Sequence, residues 1–268
     1  ILRPLNILLS LISVIIAAYL TNNLYNFTII YIIIIVISFN GAANIINDIY
    51  DIDIDKINQP NRILPSDTIS IKTALIIAII LFSIGVICSF NIKTLGQYIV
   101  IFFALPLIVL YTPYIKPLPL IGNLIISILI GLVFIITESG LSGYVNKMWI
   151  PFILATILSL IREIIKDCAD LIGDRACGLN TLPIKYGFVK SLYLLRLLSI
   201  LLLIISSIPI FYYSWKYTIS LYILVLLPLI YLVFLKLNLK SKEDDYENAA
   251  WACKLIIIGG MFVILLLK

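Results

Sequence analysis

An all-α integral-membrane bundle of about nine transmembrane helices is the fold class this sequence predicts, and three observations predict it. First, 62% of the residues are hydrophobic, only 12% are charged and none is histidine, with a mean hydropathy of +1.15. A water-soluble domain of 268 residues could not bury that much apolar side chain. Second, the apolar residues are gathered into runs close to the roughly 20 residues that carry a helix across a bilayer. Third, the basic residues collect in alternate connections, whereas a solvated surface would spread them evenly.

In chain order the runs fall at 5–20, 28–47, 72–90, 97–113, 120–137, 149–166, 189–210, 217–235 and 249–267, the first being short. Connections after the second, fourth, sixth and eighth runs are polar; the others are short and nearly uncharged. All 19 lysines and arginines except Lys93, Lys147, Lys216 and Lys268 therefore fall on one side, together with the N-terminus. By the positive-inside rule that side is cytoplasmic. The expectation is a multi-pass protein of the cytoplasmic membrane, in contact with membrane lipids, its active site facing the cytoplasm. The net charge of +5 then reads as a topology signal, and no nucleic-acid partner is expected. Cys88, Cys168, Cys177 and Cys253 are scattered without a C-x-x-C pair, which suits apolar filler and supports neither zinc nor a disulfide framework. Glu138, at the far end of the fifth run, is expected at the interface. Because the sequence opens on Ile1, residues upstream are expected to be missing.

The second run ends in N-I-I-N-D-I-Y-D-I-D-I-D-K-I-N-Q-P-N-R, from Asn44 to Arg62. Asn44, Asn47, Asp48, Asp51 and Asp55 are spaced by three and four residues, so a continuing helix sets them on one face. Asp53 falls off that face, and Pro60 disfavours helix at Gln59, with a turn-rich loop following to Asp67. The sixth run ends alike in R-E-I-I-K-D-C-A-D-L-I-G-D-R, with Glu163, Lys166, Asp167, Asp170 and Asp174 at helical spacing. Carboxylates packed this closely repel and stay ionised only beside a compensating cation.

Oxygen-rich clusters without histidine or thiolate suit hard cations, and magnesium characteristically takes a few carboxylates, water and a substrate's phosphate oxygens. The expected ligand is a diphosphate held by two metal centres, with basic residues completing the shell. A diphosphate at the mouth of a greasy bundle implies a greasy remainder, which makes an isoprenyl diphosphate the expected donor. Cleaving its carbon–oxygen bond leaves an allylic cation that aromatic faces can stabilise, with Tyr50, Tyr111, Tyr114 and Tyr144 as candidates.

At these residues the sequence resembles the UbiA family of intramembrane prenyltransferases. Its N-D-x-x-D-x-x-x-D motif is matched by Asn47, Asp48, Asp51 and Asp55, and its D-x-x-D-x-x-x-D motif by Asp167, Asp170 and Asp174. Further similarity lies in R-P-L-N from Arg3, in Y-T-P-Y-I-K-P-L-P-L-I-G-N from Tyr111 to Asn123, and in T-L-P-I from Thr181, so the resemblance covers nearly the whole chain, 1–268, as one prenyltransferase domain. Ile63 stands where the family often has proline. The resemblance implies a nine-helix bundle with a central cavity, a cytoplasmic cap and a two-magnesium diphosphate site. The archaeal ether-lipid branch is the nearest match, implying transfer of a geranylgeranyl group from its diphosphate to the secondary hydroxyl of geranylgeranylglyceryl phosphate.

On that resemblance Asp48, Asp51, Asp167 and Asp170 carry catalysis as metal ligands, with Asp55 and Asp174 completing the metal set and Asn47 on metal or diphosphate. Arg3, Arg62, Lys116 and Lys166 are expected on the diphosphate, Tyr111 beside the cation, and Arg162, Arg175 and Lys185 on the phosphate of a lipid glycerophosphate acceptor. An aromatic acceptor such as 4-hydroxybenzoate is compatible with the same motifs. An ion-coupled transporter is the rival of another class, although transport carboxylates belong nearer the bilayer midplane than these span ends.

Overall fold

The computed structural model describes residues 3–58, 62–176, 178–211 and 215–267, and every regular element among them is helical. The expected break at Gln59–Pro60 and the Cys177 reading lie outside the described residues. Nine long helices follow the nine apolar runs: α1 (Pro4–Leu20), α2 (Thr28–Tyr50), α4 (Ile71–Ser89), α5 (Thr94–Ile115), α6 (Ile121–Ser142), α7 (Trp149–Ala169), α9 (Leu182–Ser207), α10 (Trp215–Lys236) and α11 (Glu243–Leu265). Two short helices, α3 (Ile52–Asn58) and α8 (Leu171–Ala176), follow α2 and α7. Seven of the long helices can cross a membrane by length and composition alone. Of the other two, α1 has 17 residues, and α7 carries Arg162, Glu163, Lys166 and Asp167 in its last two turns. The protein is an integral membrane protein.

Several helices outrun their apolar runs because polar side chains near a helix end can leave the apolar zone while the backbone stays hydrogen-bonded. At α11 the extension has a local cause: Asp245 accepts the Lys242 amide at 3.0 Å, and three carboxylates in the first turn oppose the helix dipole. Prolines inside spans are absorbed by widened turns. Pro106 follows a π-turn at Val100–Ala104 and Pro228 one at Tyr222–Leu226, each accommodating the carbonyl four residues back that the ring would strike. In α9 the break is sharp, at Gly187 with φ 83°, a conformation that glycine adopts without the steric penalty of a Cβ. The long rod expected from 189 starts just beyond it.

The chain forms two compact units, Ile1–Ile115 with Leu132–Trp149, and Lys116–Gly131 with Ile150–Lys268. In the first, α2 lies against α1 and α4. Its core gathers Val14, Ile32, Ile35 and Phe39 with Val100 and Ala104 of α5, Phe39 meeting Phe82 edge-on at 5.7 Å. Helices α5 and α6 touch backbone to backbone: a Cβ on Gly96 would lie 2.5 Å from Gly140 Cα. A separate cluster, Ala42, Ile45, Ala74 and Ala78, closes around Leu64 from the loop after α3. The second unit packs Ile161, Ile164, Ile165 and Cys168 of α7 against Leu195 of α9, Val233 of α10 and Tyr246 and Cys253 of α11. Cys168 and Cys253 are thus buried core, as a filler reading requires.

One expectation is overturned. Glu138 is 1% exposed and accepts the amides of Asn146, Lys147 and Met148 at 2.9, 3.1 and 2.9 Å. Three convergent N–H donors compensate the buried charge, so it serves as the anchor of the turn before α7 instead of an interfacial anion.

Candidate active site

Both acidic motifs are built by one local device. Helix α2 ends at Tyr50 and α3 starts at Ile52, yet Asp51 N bonds Asn47 O at 2.9 Å and Asp55 N bonds Asp51 O at 2.8 Å. Helical bonding carries straight through the junction, and the shared face survives. In the second motif Asp170 N bonds Lys166 O and Asp174 N bonds Asp170 O, both at 2.9 Å, across the gap from α7 to α8.

On the first unit this device sets a row of carboxylates with basic and amide partners. Asp48, 6% exposed, accepts Arg3 Nη2 at 3.0 Å. Arg3 sits at the N-cap of α1 in the left-handed region, and this ion pair is what the chain's turn there provides. Asp51 Oδ2 accepts Asn47 Nδ2 at 2.7 Å, and Asp55 accepts Arg62 Nη1 at 2.6 Å. Arg62 is brought there by its loop: Leu64, two residues on, is buried between α2 and α4, and Ser66 N and Thr68 N bond Arg62 O and Ile63 O. Asp53 points away, its side chain 90% exposed beside Lys56, as its register predicted.

On the second unit Asp167 Oδ2 accepts Asn123 Nδ2 of α6 at 2.9 Å, and the charges of Glu163, Asp174 and Lys166 all reach it. Lys166 faces Asp170 across 3.7 Å, both half-exposed. Arg162 is paired with Glu163 within α7. Arg175 lies exposed on α8. Lys185 turns over the Tyr186 ring, 5.4 Å from its centroid, a partner the sequence reading had not assigned it. Lys116 and Tyr111 are half-buried, Tyr111 opening a π-turn at the end of α5.

Asn123 was missed as a site residue. Its signal was present, since it ends the Tyr111–Asn123 segment, but an amide at the start of an apolar run carries no chemistry until its partner is known.

The donor chemistry suits a hard divalent ion. Among the described residues no three carboxylate, thiol or imidazole groups converge to hold a metal by themselves. Instead each motif offers adjacent carboxylates with amide and cationic neighbours. That set matches an ion which takes one or two carboxylates and draws its other oxygens from water and a substrate phosphate.

Comparison with known proteins identifies the family of the chain. The family model described as the UbiA prenyltransferase family matches residues 6–263. The digeranylgeranylglyceryl phosphate synthase of Methanosphaera stadtmanae is 38% identical over 92% of this chain and 90% of its own length. A solved structure reported for digeranylgeranylglyceryl phosphate synthase in membranes superposes with a TM-score of 0.79 at 30% identity, covering 96% of this chain and 91% of the other. A UbiA homolog from Archaeoglobus fulgidus, bound to DMAPP and Mg2+, shares the fold with a TM-score of 0.72 at 17% identity, covering 98% and 97%. With the family model spanning residues 6–263 and the fold and nearly the full length of its relatives matched, the chain belongs to the UbiA prenyltransferase family.

Proposed function

We propose that this protein transfers a geranylgeranyl group from its diphosphate to the secondary hydroxyl of geranylgeranylglyceryl phosphate, in a magnesium-dependent reaction at the cytoplasmic face of the membrane. The observation that carries this reading is the pair of aspartate motifs built alike, on a chain 38% identical to a synthase named for that reaction over nearly its full length.

Asp48, Asp51 and Asp55 with Asn47, and Asp167, Asp170 and Asp174, are the residues that would hold magnesium, two ions in all. Bound there, magnesium neutralises the diphosphate and makes it a better leaving group. Arg3 and Arg62 are bound to Asp48 and Asp55. They hold those carboxylates in place and keep N–H donors for phosphate oxygens, since a guanidinium has five. Lys166 and Lys116 supply further positive charge. Asn123 orients Asp167 by its 2.9 Å hydrogen bond, fixing which carboxylate oxygen stays open. Arg162, Arg175 and Lys185 are the candidates for the acceptor's phosphate. No histidine exists in the chain, so the hydroxyl proton passes to a carboxylate, to water or to the released diphosphate. Tyr111 remains the aromatic candidate beside the forming cation.

The test is transfer of radiolabelled geranylgeranyl diphosphate by purified protein, with magnesium or with chelator, offering geranylgeranylglyceryl phosphate and 4-hydroxybenzoate in parallel. Magnesium-dependent label in the glycerophosphate lipid is expected. Label in the aromatic instead would keep the site and change the acceptor, and label in neither would overturn the proposal.

A further inference from the structure

Helices α1 and α2 are joined by a ladder of polar side chains running up to the first motif, and one rung is open. At one end Asn40 Nδ2 donates to Ser10 Oγ at 2.9 Å. At the other, Arg3 donates to Asp48 at 3.0 Å. Midway, on the same face of α2, stands Asn44. It is 8% exposed, and its Nδ2 is buried without a hydrogen-bond partner. Native folds seldom leave a buried amide N–H unpaired, because it forfeits its hydration and gains nothing in return. At the intervening level of α1, Asn6 is exposed and leaves the rung unclosed. Asn44 precedes Asp48 by four residues, about 6 Å along the helix axis, so it stands one turn below the carboxylate row on the membrane side.

On the prenyl-diphosphate reading above, we propose that Asn44 is a further catalytic residue, whose amide N–H donates to an oxygen of the α-phosphate, the phosphate attached to the prenyl C1. A diphosphate held at Asp48, Asp51 and Asp55 sends its prenyl chain toward the membrane, which sets the C1–O linkage below that row. In the reaction the C1–O bond breaks and its electron pair goes to the diphosphate oxygen. The new bond forms from C1 to the acceptor hydroxyl oxygen, and the hydroxyl proton leaves, so that prenyl ether and protonated diphosphate are the products. Negative charge thus grows on the α-phosphate as the bond breaks. A neutral donor brought to that oxygen would strengthen its bond in the transition state without drawing a cation into the site.

Asn44→Leu removes the amide and keeps the branched side-chain skeleton. With the donor saturating and magnesium present, kcat should fall on the order of 10²-fold, as for loss of one donor to a developing oxyanion. Without ligand the variant should melt at or above the wild-type temperature, because the orphan donor is gone. A non-reactive thiolo analogue of geranylgeranyl diphosphate with magnesium should raise its melting temperature less than it raises that of the wild type. Retained kcat, within threefold of wild type, would overturn the assignment, as would an unchanged stabilisation by the analogue. If Asn44→Leu fails to fold, Asn44→Ala, which removes the donor without adding charge or bulk, is judged by the same two readouts. Wild-type protein that transfers no prenyl group would overturn the prenyl-transfer reading itself, a result distinct from an active wild type with an equally active Asn44→Leu.

Discussion

Leu64→Ala isolates how the loop after α3 contributes to the site. Leu64 is 1% exposed and is the only buried residue between Arg62 and Ser70. Its neighbours include Ala42, Ala74 and Ala78, methyl groups on helices that cannot swing in to fill the space. Truncation of a leucine in such a pocket costs about 3–5 kcal/mol, toward the top when the walls are rigid. The loop's own docking rests on this side chain, so most of that cost falls on the equilibrium between docked and undocked loop. At about 1.4 kcal/mol per tenfold, docking weakens by at least ~10²-fold. Arg62 then leaves Asp55 for part of the time, and the apparent affinity for the donor falls by the docked fraction. Purified Leu64→Ala should show a raised KM for the prenyl diphosphate, and trypsin should cut after Arg62 faster than in the wild type. Leu64→Met, which keeps most of the volume, should stay near wild type in both. Wild-type KM together with wild-type resistance at Arg62 would refute the anchoring role.

Three further outcomes are expected. Asp51→Asn and Asp170→Asn should each lower transfer by at least ~10²-fold, the scale of losing charge stabilisation at a reacting phosphate, with unchanged helical circular dichroism; EDTA should abolish wild-type transfer and magnesium restore it. Glu138→Leu should destabilise the protein by about 2–4 kcal/mol in chemical denaturation, because the buried Met148 amide loses its acceptor while the exposed Asn146 and Lys147 amides rehydrate. A carboxylate lying at an interface would give almost no change. Gly96→Ala should lower the melting temperature, because its Cβ would meet the Gly140 backbone at 2.5 Å and rigid backbone cannot give way as a side chain would.

Bilayer thickness and hydropathy alone determine the nine long helices, because a chain in lipid must satisfy its backbone within helices or a closed barrel. Helical periodicity likewise sets Asp48, Asp51 and Asp55 on one face and sends Asp53 to solvent. These are local properties, legible in a linear string. Partners across helices are not local. Asn123 bonds Asp167 from 44 residues away and Arg3 bonds Asp48 from 45. Composition placed Glu138 at an interface because a lone carboxylate near a span end usually stays wet, and only the folded turn supplies the three amides that let it stay buried. The second motif repeats the backbone bonding of the first, as helical spacing predicts, but Lys185 took an aromatic neighbour, since a long flexible ammonium chain settles wherever the nearest face happens to lie. Asn44 marks the boundary most clearly: sequence puts it on the right face, and the tertiary structure alone reveals that the partner needed by its buried amide is absent from the neighbouring helix.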